Sequence, residues 1–470
     1  LLFRTKETFM QTFYSSFFRR HVLVWAIGLL CLLAAVVPIA QAQKAGAPPN
    51  QSTEQRIWLP FAFRDDSVQR APLALNQLGA KVPVALKQHT FFSDQINDSK
   101  GNLAIWVPPN ANPVRGIFFE NSGANLKPNP ADPDWRNEVA QNRVHASRQL
   151  ASLWGFAYVT GTTWLDSCRN FTCQEALWNT ALNEFIQATG RTELTHAPLM
   201  IVGASRTSGF GVEYAKKYPE RTIAYAVSAM DSPGYAPTVP GIVVYGERDD
   251  QASRISTFLR DRGQGGLLSL AVLWGKGHVC DRCGDLIWPW MDEVIRLRLP
   301  NNADPRQGPV ALKPLRESDG WLGDVDNWGN VYPYNDYPGD KRRAAWLPSR
   351  STARIWQHFV QKTPAATISW PTQVYSWSNG FTQEVAPFFG RKARDLAASK
   401  PFDLAATVST PPTGAVMVLV GDQIVGTATL STDGKQLELK GIQLRPGVHS
   451  LMLMQGDQPL SWPAGLMLLP

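Results

Sequence analysis

No run of basic residues stands out in this 470-residue chain, so nucleic acid is not implied as a partner. The net charge is +7, but Arg4, Lys6, Arg19 and Arg20 oppose only Glu7 in residues 1–42, and the rest of the chain carries +4. There is no internal repeat. A chain too long for one ordinary domain, with 44% apolar residues, is therefore divided among two or three different folded units with substantial cores. Cysteine is scarce, with five residues in all. Residues Val22 to Ala40 make the one long apolar run.

That run follows Arg19-Arg20-His21 and leads to Ala40-Gln-Ala42 before Gln43, the charged, apolar and small-residue parts of a secretory signal. Cleavage is expected after Ala42. The run approaches the roughly 20 residues that span a bilayer, but its small-x-small end favours removal, so no stable membrane insertion is expected afterwards. Cys31 stands behind bulky Leu30 and does not look like a lipoprotein cysteine. Removal leaves Cys168, Cys173, Cys280 and Cys283, an even number in an exported chain, for which disulfides are the default. Cys168 with Cys173 and Cys280 with Cys283 is the simplest of three connectivities, among which sequence does not choose. Cys280-Asp-Arg-Cys283 also has redox or zinc spacing. Export and the surrounding strand order argue against both uses, so no cofactor and no metal is expected.

The most informative stretch is Leu199-Met-Ile-Val-Gly-Ala-Ser-Arg-Thr-Ser-Gly-Phe-Gly211, in which four apolar residues run into a Gly-x-Ser turn that opens a helix. A serine on such a turn projects its hydroxyl above the sheet, while the first amides of the helix face the same point. Ser205 is the candidate nucleophile, and the Arg206 amide is one candidate oxyanion donor. The second donor is expected after the strand Val114 to Phe119, from Asn121 or Ser122. A base and an orienting acid follow in order. Gly246-Glu-Arg-Asp249 closes a short apolar strand, and Gly275-Lys-Gly-His278 closes another. His278 is preferred over His89, His145, His196, His358 and His449, none of which follows a comparable strand and Gly-x-Gly turn. Asp249 is preferred over its neighbour Asp250 on the turn spacing. Thr207 stands where a second glycine usually lets strand and helix approach, and a β-branched residue there is expected to cost space unless Gly209 and Gly211 relieve it.

Strand-like stretches at 57–63, 82–92, 103–107, 114–119 and 156–159 precede this element, with helices over 144–154 and around Leu177, Ala181 and Phe185. Strands at 223–227, 242–245 and 268–273 and a closing helix over 291–299 come after it. This alternation predicts a mostly parallel, doubly wound α/β sheet, with no large lid inserted between Ser205 and His278. The expected units are a signal at 1–42, a flexible leader at 43–55, a catalytic domain at 56–300, an irregular aromatic-rich layer packed on it at 301–400 with a short helix at 352–360, and a small immunoglobulin-like β-sandwich at 401–470.

On Gly203-Ala-Ser-Arg-Thr207, Gly246-Glu-Arg-Asp249, Gly275-Lys-Gly-His278 and the closing Val294-Ile-Arg-Leu-Arg-Leu-Pro300, the chain resembles the α/β-hydrolase superfamily, specifically secreted bacterial esterase-like hydrolases with an appended β domain. The resemblance implies a serine hydrolase acting on small or polymeric carboxylic esters, with Ser205, His278 and Asp249 as its triad. Two other uses stay open. One is a non-catalytic surface protein whose aromatics and β domain grip a polymer, and the other is a peptidase or amidase with the same triad.

Overall fold

The computed structural model describes residues 101–109, 111–122, 147–161, 170–229, 234–278, 282–369 and 401–469, together with four short strands outside those ranges. The expected signal, the leader and the strand at 57–63 lie outside the described residues, as do Cys168 and Cys280. Among the described residues, no helix is long and apolar enough to cross a membrane.

Eight strands form the main sheet: β1 (Lys87–Phe91), β2 (Gly101–Trp106), β3 (Gly116–Ser122), β4 (Phe156–Gly161), β5 (Leu199–Ala204), β6 (Thr222–Ser228), β7 (Gly241–Gly246) and β8 (Leu268–Leu273), in the order β1-β2-β4-β3-β5-β6-β7-β8. From β4 to β8 every neighbour is parallel, and the first two strands pair antiparallel. All residues of β6, β7 and β8 are buried, as expected of parallel strands covered on both faces. The covering helices are α1 (residues 147–154), α2 (Phe171–Thr189), α3 (Ser208–Lys217), α4 (Gln251–Gly263) and α5 (Gly284–Arg298). Phe118, Trp154, Tyr158 and Trp288 fill one face, and Phe119, Trp178 and Phe210 the other. This is the α/β fold class read from the sequence.

Helix α5 begins seven residues before the expected start at 291, because Pro289 lies inside it. Proline cannot donate the bond that the Asp285 carbonyl would receive in a regular helix. Ser450 Oγ, from the C-terminal sheet, donates to that carbonyl instead at 2.7 Å.

Residues 301–369 are more regular than the expected irregular layer. Strands β9 (Trp321–Gly323), β10 (Val331–Pro333) and β11 (Ala345–Leu347) form a three-stranded antiparallel sheet with β9 in the middle. Helix α6 (Arg350–Phe359) follows, opened by a Ser349–Thr352 capping box. Trp346 and Trp356 are fully buried in the same core as β7 and β8. Arg262, buried at the end of α4, donates to the carbonyls of Ala344, Gly266 and Lys341 and pairs with Glu317, tying this layer to the sheet. Burial lowers the Arg262 pKa, against the opposing pull of Glu317.

Strands β12 (Ala366–Ser369), β13 (Val385–Ala386), β14 (Lys392–Ala393) and β15 (Asp395–Ala397) precede the C-terminal set of β16 (Phe402–Val408), β17 (Val416–Val420), β18 (Gln423–Leu430), β19 (Gln436–Ile442), β20 (Gly447–Gln455), β21 (Gln458–Pro459) and β22 (Ala464–Leu469). All but the separate β13–β14 pair join one sheet in the order β12-β16-β19-β18-β17-β20-β22-β15, with β21 on β20. It doubles over at β18, which pairs with β17 along most of its length and with β19 only at Thr429 and Leu430. A β-sandwich results, and it takes in β12 and β15 from before residue 401. Leu451 and Leu453 point into the sandwich, whereas Met452 and Met454 of the same strand join the core of the main sheet. Both faces of β20 are thus buried, and the alternation of Leu and Met carries two cores on one strand.

His358, near the end of α6, is fully buried; its Nδ1 lies 2.8 Å from the Ser461 carbonyl, and its Nε2 has no hydrogen-bond partner among the described residues. Burial lowers its pKa to about 4. Between an unfolded value near 6.5 and this folded value only the unfolded chain binds the proton, so stability present above pH ~6.5 is lost as the pH falls towards 4. The loss attributable to this group is about 3 kcal/mol. We expect His358→Gln to flatten the stability profile between pH 6.5 and 4 relative to wild type, as measured by urea denaturation across that range. A variant profile parallel to wild type would show that His358 does not titrate there.

Candidate active site

Strand β5 ends at Ala204, and a single 3-10 turn, Ser205–Thr207, carries the chain into α3. Ser205 has φ +55, a left-handed conformation that costs a non-glycine residue of order 1 kcal/mol and is characteristic of a nucleophile elbow. Gly203 makes the turn possible. A Cβ there would stand 2.6 Å from Ser208 Cα, a backbone contact that no side-chain rotation relieves. Gly211 meets the same demand one helical turn on, where a Cβ would come within 2.8 Å of Ile201 Cγ2.

Thr207 does not crowd the turn. Its hydroxyl donates to the Ala204 carbonyl at 2.5 Å and accepts from the Ala204 N–H at 3.1 Å, so the side chain closes the elbow on itself. Space is saved at Gly203 and Gly211, while a Cβ on Gly209 would meet nothing within 4 Å. The cost expected of Thr207 is therefore offset by two local hydrogen bonds.

His278 Nε2 lies 2.7 Å from Ser205 Oγ, and His278 Nδ1 lies 2.9 Å from Asp249 Oδ1. With the carboxylate accepting from Nδ1–H, Nε2 carries the lone pair that faces the serine hydroxyl. Asp250 is not part of this chain of contacts; it is exposed, takes φ +49 and precedes α4. The loops bearing Asp249 and His278 are joined to each other. Arg248 N–H donates to the Lys276 carbonyl at 2.8 Å, and Gly275 N–H donates to Glu247 Oε2 at 2.8 Å. Gly246 lets them touch, since a Cβ there would overlap the Gly277 carbonyl oxygen.

The expected oxyanion donors sit at the same sheet edge. Arg206 is the middle residue of the elbow turn. Asn121 and Ser122 end β3 and pair in register with Gly203 and Ala204 of β5. Two residues that sequence reasoning passed over also bear on the site. Arg254, buried on α4, has Nη2 3.9 Å from Asp249 Oδ2, an oxygen that accepts no hydrogen bond among the described residues. Glu247 braces the histidine loop. No apolar periodicity or motif spacing marks either one.

Cys173 and Cys283 each take part in a disulfide. Among the described residues no cluster of His, Cys, Asp and Glu could hold a metal ion. His358 and His449 serve structure, with ring nitrogens against the carbonyls of Ser461 and Arg445.

No protein-family model and no curated protein matches the sequence. Solved structures similar to part of it include a ferulic acid esterase, 16% identical, covering 41% of this chain and 90% of its own, at TM-score 0.30. An S-formylglutathione hydrolase from Agrobacterium tumefaciens is 14% identical over 41% of this chain and 87% of its own, at TM-score 0.29. A soluble variant of monoglyceride lipase from Saccharomyces cerevisiae is 15% identical over 42% of this chain and 90% of its own, at TM-score 0.25.

We expect Thr207→Val, which keeps the shape and removes the hydroxyl, to lower the unfolding free energy by about 1–3 kcal/mol in chemical denaturation, with Thr207→Ser close to wild type. Equal stability of all three proteins would show that the two bonds to Ala204 contribute nothing net. Eight mostly parallel strands with helices on both faces form a doubly wound α/β sheet, with Ser205 on the strand-to-helix turn after β5 and Asp249 and His278 on the turns after β7 and β8.

Proposed function

We propose that the chain is an exported serine hydrolase that cleaves carboxylic esters through an acyl-enzyme. One observation carries this reading: the unbroken line of contacts from Ser205 Oγ through the His278 ring to Asp249. Ser205 Oγ attacks the ester carbonyl, and its proton passes to His278 Nε2. Asp249 holds the tautomer and stabilises the imidazolium. The negative charge that develops on the carbonyl oxygen is met by the Arg206 amide and an amide at Asn121 or Ser122. Collapse of the tetrahedral intermediate expels the alcohol with the proton from His278. Water then repeats the sequence, with His278 again taking and returning the proton, and releases the acid. The His278 side chain is 46% exposed, so water has access for this second half.

Three tests follow from this reading. A fluorophosphonate is expected to label wild type and leave Ser205→Ala unlabelled, and Ser205→Ala is expected to lose on the order of 10³-fold or more of kcat on p-nitrophenyl esters. A folded wild type that neither takes the label nor turns over a panel of chromogenic esters would overturn the proposal. Expression with export is expected to yield a mature N-terminus at Gln43, read by mass spectrometry; a retained segment 1–42 would make this an anchored protein. For the disulfides we infer local pairing, Cys168 with Cys173 and Cys280 with Cys283, which non-reducing peptide mapping decides.

A further inference from the structure

Helix α6 ends against the His278 loop. The last carbonyls of a helix have no donor within it, and here three side chains serve the residues at and just past that end. The Phe359 carbonyl accepts from Arg282 Nη2 at 3.1 Å, the Val360 carbonyl from Trp274 Nε1 at 2.7 Å, and the Gln361 carbonyl from Trp462 Nε1 at 3.0 Å. Trp274 and Arg282 stand four residues before and four residues after His278. Both stems of the histidine loop are thus fastened to one helical turn.

The far stem is held most firmly. The Arg282 guanidinium lies 3.8 Å from the Trp462 ring centroid and 4.8 Å from that of Phe359, a cation between two aromatic faces. Cys283, wholly buried and disulfide-bonded, comes next. Asp285 then accepts twice from the sandwich, at its carbonyl from Ser450 Oγ and at its carboxylate from Gly465 N–H, 2.9 Å away. The sandwich also grips the α6 turn directly, because the Ser461 carbonyl accepts from Gln361 Nε2 at 2.9 Å and faces His358 Nδ1.

The loop needs such holding. Gly275 takes φ +70, and a Cβ on Gly275 or Gly277 would meet nothing within 4 Å. Nearly half of the His278 side chain lies in solvent. A shift of about 1 Å at a reacting group can cost on the order of 100-fold in rate.

We propose that residues 358–361 form a clamp that sets the position of His278, with Trp274 and Arg282 as positioning residues, and that the β-sandwich serves the site by holding this clamp. The proposal rests on the reading of His278 as the general base. Its test uses the full chain and two readouts, ester kinetics and hydrogen–deuterium exchange of residues 274–278. Trp274→Phe keeps an aromatic ring, though a smaller one, and loses the N–H; Arg282→Gln loses the charge; Arg282→Lys retains it. We expect Trp274→Phe and Arg282→Gln to lower kcat on the order of tenfold with KM nearly unchanged, to speed exchange at 274–278, and to leave exchange in β5 to β8 as in wild type. Arg282→Lys should recover part of kcat. Wild-type kcat in the folded variants would overturn the clamp. A wild type inactive on all esters would defeat the hydrolase reading, and exchange alone would then decide: faster exchange confined to 274–278 supports the clamp, and unchanged exchange overturns it. If Arg282→Gln does not fold, Trp274→Phe and Trp462→Phe carry the same test.

Discussion

Parallel strands β5, β7 and β8 all end on one edge of the sheet, and the site depends on that constraint. Ser205, Asp249 and His278 come within hydrogen-bonding distance because each lies only a few residues beyond the end of its strand. Convergence at this scale needs backbones closer than side chains normally allow. Gly203 admits α3, Gly211 admits Ile201, and Gly246 admits the 276–277 segment. Each position forbids a Cβ for the same reason, a heavy atom already standing where it would go.

The described residues after 300 are fastened to the sheet they cover. Buried arginines satisfy carbonyls at these attachments: Arg262 reaches Ala344 and Lys341, and Arg298, which also holds the carbonyls of Thr222 and Ile223, donates from Nε to the Lys313 carbonyl at 3.4 Å. Burial lowers the Arg298 pKa to about 10. Charged groups removed from water in this way are tolerated because their donors are spent on backbone oxygens. The sandwich adds a second form of attachment through the two faces of β20, so its outer surface at Met452 and Met454 is core for the main sheet. Its outer methionines, its bonds to Asp285 and the bond from Gln361 to its Ser461 carbonyl fasten this unit beside the histidine loop.

Much of this was legible beforehand. Apolar runs ending in Gly-x-Ser, Gly-x-x-Asp and Gly-x-Gly-His located the ends of β5, β7 and β8, because a buried parallel strand is a continuous apolar segment and its functional turn must contain glycine. The start of α5 was missed, since Pro289 reads as a helix boundary until Ser450, 161 residues later in the chain, is seen to occupy the carbonyl that proline leaves open. Strands β9 to β11 were missed for another reason. At three residues each they are too short to show alternation.

Local sequence by itself determined the α/β class and pointed to the order of serine, acid and histidine, and it preferred Asp249 to Asp250, because each of these readings depends on residues adjacent in the chain. Tertiary structure alone decided that Thr207 bonds to Ala204, that Arg254 faces Asp249, and that α6 receives both stems of the histidine loop. The clamp in particular joins residues 77 and 86 positions apart. No periodicity or motif spacing encodes a pairing between a helix-end carbonyl and a side chain so distant in sequence; it exists only once the layers are packed.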